Sequence, residues 1–460
     1  MPLPPLLSIQ NRLRLLSLFI LLFALFLIAK LYAVQIISGE DFKLKAEHQY
    51  VAGVNYFDRG SIFFSTRDGS LVPAATVKLG FILHINPGIL IEYDAVEETY
   101  GKLNAIVPLD KNDYLAKAAK ISDPYEELMR RLGEEEARQI QALKIPGVAV
   151  TRERWRVYPG ERMAAHAVGL VGYGGVSGND LAGRYGLERE YEDVLGRDGD
   201  DVFVNFFAEI FSNIKNVAGG DGTLDGDIVT TIEPSVEAFL ESELKKVNDK
   251  YASDFTGGIV IDPMTGEIAA MALMPSFDPN SPQEAESSSI FSNKLIEDRY
   301  EMGSIIKAMT MAVALDAKAV TARTTYSDPG CMTLNTKTFC NYDLRSHGTN
   351  VTMQQVLDQS LNTGAAFAAL RMGPRKFGDY MLRFGLEDTT GIDLPNEGKS
   401  LVSNLKTNRE LETAQASFGQ GIALTPITTV RAMSALANGG TLITPHLVKE
   451  IRYKLGPGKT

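Results

Sequence analysis

Four serines in this sequence stand three residues ahead of a lysine: Ser212 before Lys215, Ser242 before Lys245, Ser304 before Lys307 and Ser403 before Lys406. On a helix that spacing stacks the two side chains on one face, so an amine can sit beside a hydroxyl and take its proton. The chemistry needs a neutral amine, and an exposed lysine near its reference pKa of about 10.4 is almost wholly protonated at neutral pH. Context separates the four pairs. Ser304 opens a run within YEMGSIIKAMTMAVAL that is apolar on nearly every side. Such a run reads as a buried helix, and burial would desolvate Lys307 and lower its pKa. The other three pairs lie among charged or polar residues and read as solvated surface.

A second group follows 56 residues later: Ser360, Leu361, Asn362, Thr363, Gly364. A serine hydroxyl there can relay a proton between lysine and leaving group, and an asparagine amide can orient the lysine and bind a substrate carbonyl. The string alone is weak, since Ser177 and Asn179 repeat it and a serine at this kind of position is often a helix cap. Its order and distance behind Ser304 favour the catalytic reading. Cys331 and Cys340, the two cysteines of the chain, bracket the segment MTLNTKTF. Too few other ligands lie nearby to suggest zinc, and both a disulfide and two free thiols stand open. No metal and no cofactor are expected.

The elements that must position these groups are legible in outline. A strand over Ile228 to Ile232 precedes a helix over Ser235 to Tyr251, and GGIVID and EIAAMAL flank the turn residues 263–266 as a hairpin. Helices then alternate with loops, which predicts an α+β or α/β domain with an antiparallel sheet. Upstream, short strands and turns surround Ile62, Phe63 and Phe64. Helical spacing predicts a helix from about Glu126 to Leu143, and alternation predicts a strand from Val148 through Val157. No catalytic constellation occurs there, so this stretch reads as a non-catalytic pedestal.

A length of 460 residues suits two or three folded units. The net charge of -11 argues against nucleic acid as a partner. Leu15 to Ala29 is unbroken apolar sequence apart from Ser17, and the wider stretch Leu13 to Ile37 has few polar interruptions. About 20 such residues span a bilayer, and Arg12 and Arg14 favour a cytoplasmic N-terminus. Ala29 is followed by Lys30, Leu31 and Tyr32 rather than a small-x-small cleavage site, so an uncleaved anchor is preferred to a signal peptide. The glycines at 219, 220, 222 and 226 make the best interior linker. The expected organisation is a cytoplasmic tail at 1–12, an anchor at 13–37, a pedestal at 38–222 and a catalytic domain at 223–460, outside the cytoplasmic membrane.

Taken together, these motifs resemble the class B, monofunctional penicillin-binding proteins. Arg59, Gly60, Ser61, Ile62 with Arg67, Asp68, Gly69 look like the family's first pedestal box. Arg156, Val157, Tyr158, Pro159 with His166 and Gly169 look like the second, and Gly186, Leu187, Glu188 like the third. GGIVIDPMTGEIAAMALMPSFDPN resembles its first catalytic strand pair, and Phe418, Gly419, Gln420, Gly421 with Thr425, Pro426 match a late signature. The resemblance spans about 13 to 450. It implies a pedestal followed by a serine transpeptidase domain of β-lactamase-like fold, in which Lys307 activates Ser304 to form an acyl-enzyme with a D-Ala-D-Ala stem peptide. Ser360 would pass protons, Asn362, Thr363 and Gly364 would bind substrate, and the Ser304 N–H would be one oxyanion donor. β-Lactams would acylate the same serine, and a membrane glycosyltransferase would be a partner.

Met302 replaces the family's usual Pro, and Ile305 and Ile306 replace its Thr and Phe. The family's third motif, K-[TS]-G, occurs nowhere in the 460 residues; Lys459 and Thr460 end the sequence one glycine short of it and are read as coincidence. The expectation is that the C-terminal part of the catalytic domain lies beyond this sequence, and whether these residues act alone is left open. A cell-wall scaffold that lost the third motif and a β-lactam sensor are the alternatives.

Overall fold

The computed structural model describes residues 58–174, 180–197 and 225–453, together with Leu21 and Phe23. The expected anchor, those two positions apart, and the glycines at 219, 220 and 222 lie outside the described residues. Among the described residues no helix is long and apolar enough to cross a membrane. The chain divides into two compact units, one formed by Leu79–Trp155 and the other by Asp58–Lys78 with the chain from Arg156 onward.

In the first unit, residues 81–85 of the long strand Leu71–Ile85 pair antiparallel with the strand Glu126–Leu132. Four short helices, Pro87–Glu92, Val96–Asn104, Lys111–Ala118 and Glu134–Ala142, enclose Leu83, Leu90, Leu103, Tyr114, Leu132 and Ile140. Two of them start at side-chain caps: Asn86 Oδ1 accepts from Ile89 N at 3.2 Å and Asp110 Oδ1 from Asp113 N at 2.8 Å. The single helix expected from Glu126 to Leu143 is corrected in its first half, which is strand. Leu128 and Leu132 are four apart, a spacing that satisfies both a helical and an alternating period. Arg131, at φ 62°, and the extended Gly133 then break the chain before the real helix begins.

The second unit carries a mixed sheet. The strand Gly226–Thr230 lies between Val448–Tyr453, antiparallel, and Ile62–Ser65, parallel, and residues 71–75 close the far side of Ile62–Ser65. The hairpin read from the sequence is present as Thr256–Ile261 paired with Ile268–Met274. The helix Pro234–Tyr251 precedes it, with Glu233 as its cap. The three pedestal boxes meet inside this unit. Glu188, fully buried, accepts from Arg59 Nε at 2.6 Å, from Arg156 Nε at 2.7 Å and from Tyr158 OH at 3.2 Å. Glu192 holds the other end of the Arg59 guanidinium at 2.7 and 2.9 Å. Residues far apart in sequence are thus tied by charges that need one another, since each would be costly to bury alone.

Candidate active site

Ser304 sits in the 3-10 turn Gly303–Ile305, which runs directly into the helix Ile306–Asp316. That helix is wedged between two apolar clusters. Ile306, Met309 and Val313 pack with Phe377, Met381 and Leu424, while Met311 and Ala314 pack with Val356, Leu361 and Ala368. This double packing is why its sequence is apolar all round. Lys307, one turn in, is 3 % exposed, whereas Ser304 at the helix mouth is open to solvent.

The turn is buttressed by residues 418–421. Glycine is required at 419: its φ is +80°, and an added Cβ would lie 2.2 Å from the Gly303 carbonyl oxygen. Gly421 N donates to Glu301 Oε1 at 2.7 Å, and Thr310 Oγ1 donates from the helix to Ser417 O at 2.7 Å. The late signature noted in the sequence therefore sits against the Ser304 turn. Thr425 caps the next helix, Pro426–Ala437, accepting from Thr428 N.

Ser360 reaches the same place from the junction of two helices, Met353–Asp358 and Asn362–Met372. Its φ of 54° is a left-handed conformation, which costs a non-glycine residue on the order of 1 kcal/mol and so needs support from its surroundings. The result is a closed triangle. Lys307 Nζ is 3.1 Å from Ser304 Oγ and 2.9 Å from Ser360 Oγ, and Ser360 Oγ donates to Ser304 Oγ at 3.0 Å. The amine also donates to the Ser360 carbonyl at 2.5 Å. Desolvation by burial lowers the Lys307 pKa from 10.5 to about 8. At pH 7 roughly one such amine in ten is neutral, about 300 times the fraction of an unperturbed lysine.

Asn362 Nδ2 donates to the Cys340 carbonyl at 2.8 Å. Of the two states left open for Cys331 and Cys340, the structure holds the disulfide, across the antiparallel pair Cys331–Leu334 and Lys337–Cys340. Thr363 and Gly364 are buried on the inner side of their helix. Thr363 Oγ1 donates to Asp328 Oδ1 at 2.7 Å, and a Cβ at Gly364 would meet Val356 Cγ2 at 2.3 Å. They underpin the turn from within, while Asn362 is part-exposed. Sequence reading did not single out Asp328 or Asn341, both buried beneath this turn. The available signals were the Asp328-Pro329-Gly330 turn and the position of Asn341 just after a cysteine.

The other serine–lysine pairs have no such setting. Lys245 is 67 % exposed, Lys406 is 51 % exposed and paired with Glu387, and Ser212 with Lys215 lies outside the described residues. Among the described residues no cluster of three or more His, Cys, Asp or Glu is placed to hold a metal ion.

Two serine hydroxyls and a buried amine within hydrogen-bond range of one another form a candidate site for acyl transfer. Residues 256–460 match the penicillin-binding protein transpeptidase domain and residues 57–206 the penicillin-binding protein dimerisation domain. The chain belongs to the class B penicillin-binding proteins. It is 33 % identical over 325 residues to stage V sporulation protein D of Bacillus subtilis, an overlap covering 70 % of this chain and 49 % of that protein. It is 30 % identical over 380 residues to the probable peptidoglycan D,D-transpeptidase FtsI of Caulobacter vibrioides, covering 82 % of this chain and 57 % of the relative. The crystal structure of penicillin-binding protein 2X from Streptococcus thermophilus shares the fold, with a TM-score of 0.67 at 20 % identity, over 86 % of this chain and 60 % of that one. The chain thus spans about half the length of the first of these relatives.

Proposed function

We infer that the protein is a peptidoglycan D,D-transpeptidase that cross-links stem peptides through an acyl-enzyme on Ser304 and is inhibited by β-lactams. The observation that carries this reading is the Ser304–Lys307–Ser360 triangle around a buried amine. With Lys307 neutral, its two N–H groups serve the carbonyl and hydroxyl of Ser360, and its lone pair is left for the Ser304 hydroxyl proton. Ser304 Oγ then attacks the penultimate D-Ala carbonyl of a donor stem peptide. The carbon–nitrogen bond to the terminal D-Ala breaks, and that amine leaves with a proton passed through Ser360 Oγ. An amine of a second stem peptide displaces Ser304 and completes the cross-link. The Ser304 N–H serves as one oxyanion donor, and Asn362, pinned by Cys340, offers its remaining amide atoms to the donor peptide.

The relatives' names, which include peptidoglycan D,D-transpeptidases, support the same reading. A scaffold would have no use for a desolvated lysine between two hydroxyls. The apolar stretch 13–37 supports a single-pass anchor, with a cytoplasmic tail before it, a pedestal over 38–222 and a transpeptidase domain from 223 in the space outside the cytoplasmic membrane. A membrane glycosyltransferase of the cell-wall machinery is the partner proposed with this activity. The test is release of D-Ala from a stem-pentapeptide donor by the full-length protein. Release that vanishes in Ser304→Ala supports the function, and release unchanged in that variant contradicts it.

A further inference from the structure

Beneath the Ser360–Asn362 turn lies a buried carboxylate that the mechanism does not use. Asp328 ends the strand Thr325–Asp328 and is 2 % exposed. Its Oδ1 accepts from Thr363 Oγ1 at 2.7 Å and Gly330 N at 3.0 Å, its Oδ2 accepts from His347 N at 2.9 Å, and Asn341 Nδ2 spans both oxygens at 3.1 and 2.9 Å. Every one of these donors is neutral. Burial pushes the Asp328 pKa up, but the hydrogen bonds from Thr363, Gly330, His347 and Asn341 outweigh it and hold the value below the ordinary carboxylate range. The group is therefore an anion that gathers donors from its own turn, at Gly330, and from three segments further along the chain, at Asn341, His347 and Thr363.

Two of those segments carry the site. Thr363 follows Asn362 directly, and its N–H donates to Asn341 Oδ1 at 3.2 Å. Asn341 follows Cys340, whose carbonyl fixes the Asn362 amide. Asn341 is itself 2 % exposed and bound to Asp328. The carboxylate thus sets the spacing between the carbonyl that holds Asn362 and the helix start that carries both Asn362 and the strained Ser360.

We propose that Asp328 is a positioning residue for acyl transfer, holding Ser360 and Asn362 in register with Ser304 through Thr363 and Asn341. It touches neither substrate nor Ser304 and acts through the turn above it. The proposal rests on the transpeptidase reading for its kinetic consequence, but its structural consequence can be read without catalysis.

The experiment compares full-length wild type with Asp328→Asn, Thr363→Val and Thr363→Ser, by hydrogen exchange and by the rate of labelling with a fluorescent penicillin. An asparagine at 328 turns an N–H₂ toward donors that need an acceptor, and valine removes the hydroxyl outright. The expected result is at least tenfold faster exchange over residues 360–364 in Asp328→Asn and Thr363→Val, with the helix Ile306–Asp316 unchanged. Labelling falls 10–100-fold in both, and Thr363→Ser returns both readouts to within about threefold of wild type. If Asp328→Asn does not fold, the Thr363 pair alone decides. Unchanged exchange and labelling overturn the proposal, as does a loss spread over the whole domain that serine at 363 does not restore. Faster exchange over 360–364 in the two variants, restored by Thr363→Ser, together with a wild type that never labels, sinks the transpeptidase reading while supporting the positioning.

Discussion

Ser360 Oγ lies 3.0 Å from Ser304 Oγ although 56 residues separate them. Lys307 Nζ reaches both, so a proton leaving one hydroxyl has an acceptor and an exit within hydrogen-bond range. That relationship is the basis of the kinetic predictions.

Acylation by a β-lactam is expected to rise with pH and level off above about 8, following the lowered pKa of Lys307 rather than its ordinary 10.5. Lys307→Arg cannot deprotonate and is expected to lose about 10²–10⁴ in acylation rate. The same shift acts on stability. With the folded pKa below the unfolded one, the unfolded chain binds more protons between about 8 and 10.5, so the Lys307 contribution to stability improves as pH rises through that window. Penicillin acylation rates from pH 6 to 10, in both proteins, check the kinetic part.

Glu237 provides the opposite case. Burial, with the neighbouring Glu241 adding to it, raises its pKa from 4.5 to about 8, while one oxygen accepts from Met271 N at 2.8 Å. The folded protein here binds more protons than the unfolded chain, so stability falls as pH rises from about 4.5 to about 8. Glu237→Gln keeps an acceptor for Met271 and removes the ionisation. Its Tm is expected to exceed that of wild type at pH 8 and to converge with it at pH 5.

The Arg59–Glu188–Arg156 cluster is expected to be the least forgiving part of the second unit. Glu188→Gln leaves two guanidinium groups, 1 % and 4 % exposed, short of their shared anion. A loss of roughly 3–5 kcal/mol follows for a broken buried pair, to be read by urea denaturation.

Replacing Cys331 and Cys340 together by Ser is expected to cost about 2–3 kcal/mol, the loop-closure effect for a short loop, and to loosen the carbonyl that holds Asn362. Thermal denaturation with and without reductant should reproduce the loss in wild type and show none in the double variant.

The helix Ile306–Asp316 was readable because burial on two sides leaves a continuous apolar imprint after Ser304, and the hairpin 256–274 because alternation and turn residues agree. The helix expected at 126 failed where one spacing served two periods. Asp328 and Asn341 left little trace, since their roles depend on which distant donors the fold brings to them. The left-handed Ser360 was equally silent: its conformation comes from the helices on either side, not from its own preference.

The most direct test of the account is to locate the covalent adduct. Full-length protein treated with penicillin, digested and mapped by mass spectrometry should carry the penicilloyl group on Ser304. Ser304→Ala should carry none, and Ser360→Ala should carry it at the same residue, formed more slowly. An adduct on another residue, or undiminished labelling of Ser304→Ala, would contradict the assignment of Ser304 as the nucleophile.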